Sequence, residues 1–361
     1  MARRRKKKNQ VKLSSTAIKV ILVFMLVVAI ALGTWYLVDK DGFMGTYEKL
    51  LSMLNPTPPP DEVPEPLGDK LKVHFIDVGQ GDAIYMQLPD GKDMLIDAGD
   101  RDSDITADLL DYLNGLGTLV DGLDYLMLTH TDSDHVGGMD EVLENYVVKK
   151  VFMPNVGAYE EDEEIGFMTN TTTYVPFYQA VQAESGIEVV YNQGQYEITG
   201  EGYKIKVYCP SQDFYVGVDK DSSAQIKNNM SPVCVLEYGE EKTTRVVLTG
   251  DLNSNTTSPA HAWSERHFME QIGGTLFDCD ILKVGHHGSD GSTSTEFLNF
   301  IDPEHVVVSV GADNSHGHPD SVFIERVNAY GLQDATYRTD LKGDIVLTIG
   351  SNGGYSFEFA K

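Results

Sequence analysis

Four potential metal ligands lie within six residues near the middle of the chain: His130, Asp132, Asp134 and His135. An apolar run at residues 125–128 precedes them and Gly137-Gly138 follows, so the pattern predicts a buried strand, a ligand-bearing loop and a turn into a helix. Loops at strand ends commonly carry catalytic side chains. Two neighbouring divalent cations use this mixture of imidazole nitrogens and carboxylate oxygens, which a solvated loop does not need. The stretch therefore predicts a site for two metal ions.

This stretch resembles the His-x-His-x-Asp-His signature of the metallo-beta-lactamase superfamily, with Asp132 at the position of the second histidine. The resemblance implies one pair of ligands for each metal: His130 with Asp132, and Asp134 with His135. With aspartate at this position, the motif is similar to that of the hydrolase domain of the ComEC/Rec2 competence proteins. The additional carboxylate makes the first site harder, which favours manganese or magnesium without excluding zinc. The expected cofactors are two divalent ions, zinc or manganese.

Two segments before this loop also resemble the ComEC/Rec2 hydrolase domain. Residues 75–83 match its Phe-Ile-Asp-Val-Gly-Gln-Gly-Asp motif, and the next matching element, Leu-Ile-Asp-Ala-Gly, contains Asp97. In the superfamily the acid at this position orients the metal-binding loop through hydrogen bonds and does not bind metal, so the same role is expected for Asp97. For Asp77, Gln80 and Asp82, a role near substrate and a role as turn residues are both open.

Two later segments resemble further parts of the same site. Residues 243–252 predict a buried strand that ends at Asp251, and the resemblance implies that Asp251 bridges the two metals. The superfamily usually places a third metal-binding histidine near residue 230, but this chain has none there. Instead, Asn228, Asn229 and Ser231 match an Asn-Asn-x-Ser pattern of the ComEC-like domain. Asn229 is expected either to orient substrate or water, or to serve as a capping residue.

The last two motifs supply histidines. Residues 279–289 predict a strand followed by His286, His287, a glycine and Ser289, which resembles the superfamily's last ligand motif. His287 is favoured as the second metal's ligand and His286 as its neighbour facing substrate, although the reverse assignment is open. His318 lies in a Gly-His-Pro sequence and is expected to protonate a leaving group or to contact a phosphate oxygen. Ser289 is assigned to the surroundings of the site. The residues assigned to catalysis are Asp134, His286 and His318.

The elements that position these motifs alternate between strands and helices. Helical spacing of apolar residues predicts a helix over residues 104–116, with Ser103 or Asp104 as its cap. Residues 154–230 are less regular, and we interpret them as a variable insertion with a helix over residues 174–183. The resemblance implies an α/β fold, the metallo-beta-lactamase αββα four-layer sandwich, over residues 69–361. Four histidines outside the motifs are expected to be structural: His74, His261, His267 and His305.

The amino-terminal region predicts a membrane anchor. Residues 1–19 contain eight basic residues and no acidic ones, and the uncharged apolar residues 20–38 are long enough to span a bilayer. The positive charge before this run predicts a cytoplasmic tail, a single transmembrane helix and an extracellular domain on the cell membrane. A signal peptide cleaved after Ala29-Ile30-Ala31 is the alternative. Residues 39–68 form a juxtamembrane segment with a proline-rich linker that spaces the domain from the bilayer.

Charge and cysteine content restrict the function further. The net charge is −27 although the first 19 residues are strongly basic, so the remaining chain is very acidic. This counts against a tight nucleic-acid binder, but not against a nuclease whose metals neutralise the scissile phosphate. Only three cysteines occur, at positions that do not suggest a metal site or a disulfide framework. We expect buried, unpaired thiols, with a bridge between Cys209 and Cys234 as a minor alternative.

These observations predict a membrane-anchored extracellular dimetal hydrolase, a phosphodiesterase or DNA nuclease of the ComEC/Rec2 type. The expected partners are a phosphodiester substrate such as DNA, the membrane, and proteins of a competence channel or of the cell wall. One alternative is hydrolysis of cell-wall phosphodiesters such as teichoic-acid phosphocholine esters. Another is a non-catalytic surface binding module on the same fold, although the intact ligand set argues against it.

Overall fold

The computed structural model describes residues 68–119, 122–156, 172–211, 223–254, 263–273 and 277–361. All of them belong to one compact unit, Pro64–Lys361. The predicted tail, membrane helix and linker therefore lie outside the described residues, as does His261. Within the part of the chain that is described, no helix is long and apolar enough to cross a membrane.

The structure contains two β-sheets. Numbered in chain order, the described strands are β1 (Lys70–Phe75), β2 (Ile84–Gln87), β3 (Asp93–Ile96), β4 (Leu123–Met127), β5 (Val148–Pro154), β6 (Glu188–Asn192), β7 (Gln195–Thr199), β8 (Tyr203–Tyr208), β9 (Val233–Tyr238), β10 (Thr244–Leu248), β11 (Ile281–Lys283), β12 (His305–Val308), β13 (Thr336–Arg338), β14 (Ile345–Gly350) and β15 (Tyr355–Phe359). The first sheet has the order β15-β14-β1-β2-β3-β4-β5-β6, and the second has the order β13-β12-β11-β10-β9-β8-β7.

Each sheet is partly parallel, which requires helical crossovers. Strands β3 to β6 run parallel in the first sheet, and β10 to β13 run parallel in the second. The described helices are α1 (Ser103–Leu116), α2 (Ser133–Val136), α3 (Met139–Asn145), α4 (Tyr174–Ala183), α5 (Ser223–Asn228), α6 (Glu265–Ile272), α7 (Thr295–Ile301), α8 (Ser321–Tyr330) and α9 (Thr339–Lys342).

Alternating apolar residues produce the layers. In β2, Ile84 and Met86 point into the core between the two sheets, whereas Tyr85 packs against the helices outside the first sheet. In the second sheet, Val246 faces the same central core and its neighbour Val247 faces the outer helices. Both faces of each sheet are therefore buried, as expected for sheets with parallel strands. The architecture is the αββα sandwich implied by the resemblance.

The interpretation of residues 154–230 as a variable insertion is wrong for much of this segment. Strand β6 completes one edge of the first sheet, and β7 and β8 form an edge of the second. Buried Tyr203, Ile205 and Val207 alternate with more exposed residues in β8, which is the period-two pattern of a strand. The predicted helix at residues 174–183 is present as α4. Residues 157–171 and 212–222 are not among the described residues.

Two smaller expectations are also resolved. The amino-terminal cap of α1 is Asp102, not Ser103 or Asp104, since its carboxylate accepts a hydrogen bond from the backbone N–H of Asp104. Asp102 has the extended backbone that a cap requires, whereas Ser103 already belongs to the helix. The three cysteines are buried and free, so the minor alternative of a bridge between Cys209 and Cys234 is wrong.

His74 in β1 is a buried structural histidine with two side-chain partners. Its Nε2 donates to Gln87 Oε1 at 3.0 Å, and the Tyr112 hydroxyl donates to its Nδ1 at 2.8 Å. Burial lowers the pKa of His74 to about 4, because the charged ring would lose its hydration.

We expect this neutral His74 to make the fold sensitive to acid. The pKa is lowered in the folded state from an ordinary value near 6.5, so the stabilisation is complete above pH 6.5 and is lost as the pH falls to about 4. The loss amounts to roughly 3 kcal/mol of unfolding free energy. Urea unfolding in EDTA between pH 4 and 7 should show a dependence in the wild type and in Tyr112→Phe that is smaller by about this amount in His74→Gln, where only the other titrating groups remain. Equal slopes in all three would contradict it.

Candidate metal centre

The ligand loops follow the carboxyl ends of parallel strands. Asp97 comes directly after β3, the His130 loop after β4, Asp251 after β10, and the His286-His287 turn after β11. The first two strands belong to one sheet and the last two to the other. The fold therefore brings loops from both sheets to a shared edge, where their polar side chains meet.

The ligands predicted for the second metal form one compact cluster: Asp134, His135, Asp251 and His287, with ligand atoms all within 4.8 Å of one another. His287 Nε2 lies 3.2 Å from Asp134 Oδ2, and His135 Nε2 lies 3.2 Å from Asp251 Oδ1. The two imidazole Nε2 atoms are 3.3 Å apart. His287, which was favoured over His286 for this position, is the member of the pair that joins the cluster.

The residues predicted for the first metal face the other oxygen of Asp251. His130 Nε2 lies 3.9 Å from Asp251 Oδ2 and 3.8 Å from Asp132 Oδ2. His286 Nε2 also lies 3.8 Å from Asp251 Oδ2. Asp251 thus presents Oδ1 to one group of donors and Oδ2 to another, which is the arrangement expected of a carboxylate shared by two cations.

The donor set fits divalent metal ions. His130 Nε2 is buried and has no hydrogen-bond partner among the described residues. A buried polar atom without a partner destabilises the fold unless it binds something else, such as a cation. The mixture of imidazole nitrogen and carboxylate oxygen suits zinc or manganese.

Burial alone would lower the pKa of His135 and His287, but Asp251 outweighs it and raises both, so these imidazoles supply the positive charge that a bound cation would replace. Burial opposes ionisation of Asp251, but His287 and His135 outweigh it and hold the pKa of Asp251 well below its usual range. Asp134 behaves in the same way: hydrogen bonding to His287 overcomes burial and lowers its pKa. Burial lowers the pKa of His130 well below the ordinary value, so this imidazole is neutral and its nitrogen can bind metal.

Asp97 lies behind the metal-binding loop, as expected. Its Oδ1 accepts the backbone N–H of Thr129 at 2.8 Å, and its Oδ2 accepts both the Thr129 hydroxyl and His135 Nδ1 at 2.7 Å. The bond to Nδ1 leaves Nε2 of His135 directed at Asp251. Asp97 therefore fixes both the loop and the orientation of one ligand.

Asp82 has a partner that the sequence analysis missed, the fully buried Lys283 at the end of β11. The Lys283 ammonium donates to the Asp82 carboxylate and, at 3.1 Å, to the backbone carbonyl of Gly250. Asp82 Oδ1 lies 3.6 Å from Nδ1 of His287, which itself donates to the Ser309 carbonyl at 2.9 Å. The sequence contains one sign of this pair: Lys283 interrupts the apolar run before His286-His287, and a lysine within a buried strand needs an acidic partner.

Close backbone contact joins the Asp82 turn to the ligand loop. Asp82 donates its backbone N–H to the carbonyl of Asp134 at 3.1 Å. Gly81 has a φ of 140°, and a Cβ there would lie 2.3 Å from the same carbonyl oxygen. Glycine is therefore required for this approach.

Other predicted residues brace loops. Asp77 pairs with Lys361, and Gln80 accepts the backbone N–H of Gly311 at 3.3 Å. These contacts favour the turn-residue interpretation of both side chains. The Asn229 carboxamide oxygen accepts the backbone N–H of Asn253 at 3.3 Å, and the Ser289 hydroxyl donates to Ser292.

His286 and His318 lie side by side at the cluster, with ring centroids 5.3 Å apart. Burial, reinforced by His286, lowers the pKa of His318 to about 4. His286 and His287 both adopt left-handed backbone conformations, with φ values of 48° and 51°. Such conformations are unfavourable for residues with a Cβ, so the surrounding loops must enforce this turn. The turn is what presents both imidazoles to the site.

Comparison with known proteins gives the same assignment. The family model described as the metallo-beta-lactamase superfamily matches residues 76–207. The predicted resemblance to the metallo-beta-lactamase superfamily is confirmed over these residues. ComE operon protein 3 of Bacillus subtilis is 28% identical over 294 residues, which cover 77% of this chain and 33% of that protein. Competence protein ComA of Neisseria gonorrhoeae is 28% identical over 299 residues, covering 81% and 34%. The predicted resemblance to competence proteins is confirmed.

The chain matches about a third of the length of these two curated relatives. Among solved structures, the metallo-beta-lactamase fold protein YhfI from Bacillus subtilis is similar, with a TM-score of 0.44 and 12% identity. That similarity covers 78% of this chain and 99% of that one.

Replacing Asp97 by asparagine should weaken metal binding about 10- to 100-fold, because the single amide oxygen cannot accept all three bonds from Thr129 and His135 that the two carboxylate oxygens accept. Isothermal titration of the metal-free protein with Mn²⁺ measures this change. Asp93→Asn is the matched control, since Asp93 is also buried but bonds to Tyr85 and Asp124. Equal affinities for the two variants would refute the role of Asp97.

Replacing Lys283 by methionine should reduce the unfolding free energy by about 3–5 kcal/mol, because Asp82 is left as a buried, unpaired charge. Adding Asp82→Asn should restore part of the loss, since the remaining group is neutral. Urea denaturation of both single variants and the double variant gives the coupling energy. Additive losses would show that the pair does not act as a unit.

Proposed function

We propose that this protein is a dimetal phosphodiesterase that acts on DNA. The observation that supports this best is the position of Asp251 between two groups of donors, one on each of its carboxylate oxygens. We assign His130, Asp132 and Asp251 to the first metal and Asp134, His135, Asp251 and His287 to the second. When bound, such a pair of ions activates water and stabilises negative charge on a phosphoryl group.

The protein's own side chains then have distinct tasks. Asp97 orients His135, and the Asp82–Lys283 pair fixes the turn that presents His287. His286 is the more exposed imidazole of the adjacent pair, with a side chain that is 30% accessible, so it can contact substrate. His318 is neutral at pH 7 because of its low pKa, and it can donate a hydrogen bond to a phosphate oxygen or leaving group.

Two features support a phosphodiester substrate. The first-metal half contains Asp132, and this harder donor set suits the hard ions that commonly bind phosphates. The name of the Neisseria gonorrhoeae relative also connects it with competence, and we extend this connection to the present chain as a role in processing DNA. Since the chain matches only a third of each relative, a role in DNA uptake requires a channel partner.

The overall charge limits how DNA is bound. A net charge of −27 opposes non-specific DNA affinity, which depends on positively charged protein surface. Substrate binding must therefore depend on the metal centre, and short or single-stranded substrates are favoured over long duplexes. The same charge is compatible with small cell-wall phosphodiesters as an alternative substrate.

We also propose that residues 20–38 anchor the domain to the cell membrane with residues 1–19 in the cytoplasm. The basic cluster followed by an uncharged apolar run supports this orientation. The proline-rich residues 55–66 would then separate an extracellular domain from the bilayer.

The full-length protein in detergent, loaded with Mn²⁺ or Zn²⁺, should cleave end-labelled single-stranded DNA. Asp251→Asn should lower the rate at least about 100-fold, because a shared ligand matters more than residues behind the ligands, whose loss costs 10- to 100-fold. Asp93→Asn is the control for a buried carboxylate elsewhere. Turnover of a small phosphodiester with intact DNA would shift the assignment to cell-wall substrates, and no turnover of either would refute it.

A further inference from the structure

The first-metal half of the centre already contains a positive charge. Lys227, in the last turn of α5, donates its ammonium group to Asp132 Oδ1. Its side chain is only 19% exposed, and that of Asp132 is 24% exposed. This contact is therefore largely shielded from water, unlike an ordinary surface ion pair.

We propose that Lys227 is an internal cation that competes with the first metal for Asp132, so that the two metal positions fill unequally. The proposal rests on the dimetal site described above. The second position fills first, and a metal enters the first position only when Lys227 leaves Asp132.

The two halves of the centre differ in how many of their donor side chains are available to a metal ion. The second half offers four side chains with ligand atoms within 4.8 Å of one another, and none of them pairs with a lysine among the described residues. In the first half, His130 and Asp251 Oδ2 are 3.9 Å apart, and the remaining carboxylate, Asp132, is engaged by Lys227.

Charge makes the competition effective. An ammonium group repels a divalent cation bound to the same carboxylate, and this repulsion is strong where water is largely excluded. Lysine carries a compact charge on a flexible stem, so it can withdraw from Asp132 without unfolding the helix. Its neighbour Asn228 contacts the His286 ring at 3.3 Å, which places the end of α5 directly beside the metal centre.

The test is the binding of Mn²⁺ to the metal-free full-length protein in detergent. Isothermal titration gives the affinities, and equilibrium dialysis with elemental analysis counts the ions. We expect the wild type to bind one ion tightly and a second at least ten-fold more weakly. Lys227→Met should tighten the weaker site at least about ten-fold, because the competing charge is gone, whereas Lys227→Arg should leave it weak.

Two variants control for indirect effects. Lys242→Met removes an exposed lysine that pairs with Asp280, and it should change neither affinity. Asp132→Asn should abolish the weaker site and keep the tight one, which identifies the site that Lys227 blocks. Thermal melting confirms that each variant is folded before titration.

The competition is refuted if the wild type binds two ions equally, or if Lys227→Met leaves the weaker affinity unchanged. It is also refuted if Lys227→Met binds a single ion. Because these results are ion counts and affinities, they stand whether or not the loaded protein cleaves DNA. Failure of the phosphodiesterase assignment is therefore distinguished from failure of the competition.

Discussion

The structure depends on neutralising a dense group of carboxylates at the edge shared by its two sheets. Five aspartates lie in or directly behind the centre: Asp82, Asp97, Asp132, Asp134 and Asp251. Several are buried, and a buried charge is tolerated only when it is paired or bound to metal. Lys283 and Lys227 each neutralise one carboxylate, and histidines face the others. The carboxylates that are not paired with a lysine attract further positive charge, and this makes the edge a metal site.

The fold places these carboxylates and histidines at the ends of strands from both sheets. Parallel strands β3 and β4 deliver Asp97 and the His130 loop, while β10 and β11 deliver Asp251 and His287. Tight packing then fixes the loops, as in the contact between Gly81 and the Asp134 carbonyl. The left-handed turn at His286-His287 shows that local backbone preference is overridden here, which is common at functional sites.

The family resemblance predicted the two-sheet fold, and local spacing identified the candidate ligands His130 to His135, which lie within six residues. Local patterns were insufficient wherever the partner is distant in the chain. Lys283 pairs with Asp82 across 201 residues, and Asp77 pairs with Lys361 across 284. The prediction for residues 154–230 was wrong for a related reason. The short strand β6 pairs with β5, and β8 pairs with β9, across long intervening segments, so the place of β6, β7 and β8 in the sheets is not visible in the local sequence.

The spacing of the ligands along the chain gives the centre a second physical consequence. His135 and His287 approach within 3.3 Å although 152 residues separate them, and they follow strands of different sheets. An ion bound by both histidines would cross-link the chain across this long segment and so restrict the conformations of the unfolded ensemble. In a chain whose three cysteines are all free, such an ion would stabilise the fold in the way that a disulfide does elsewhere.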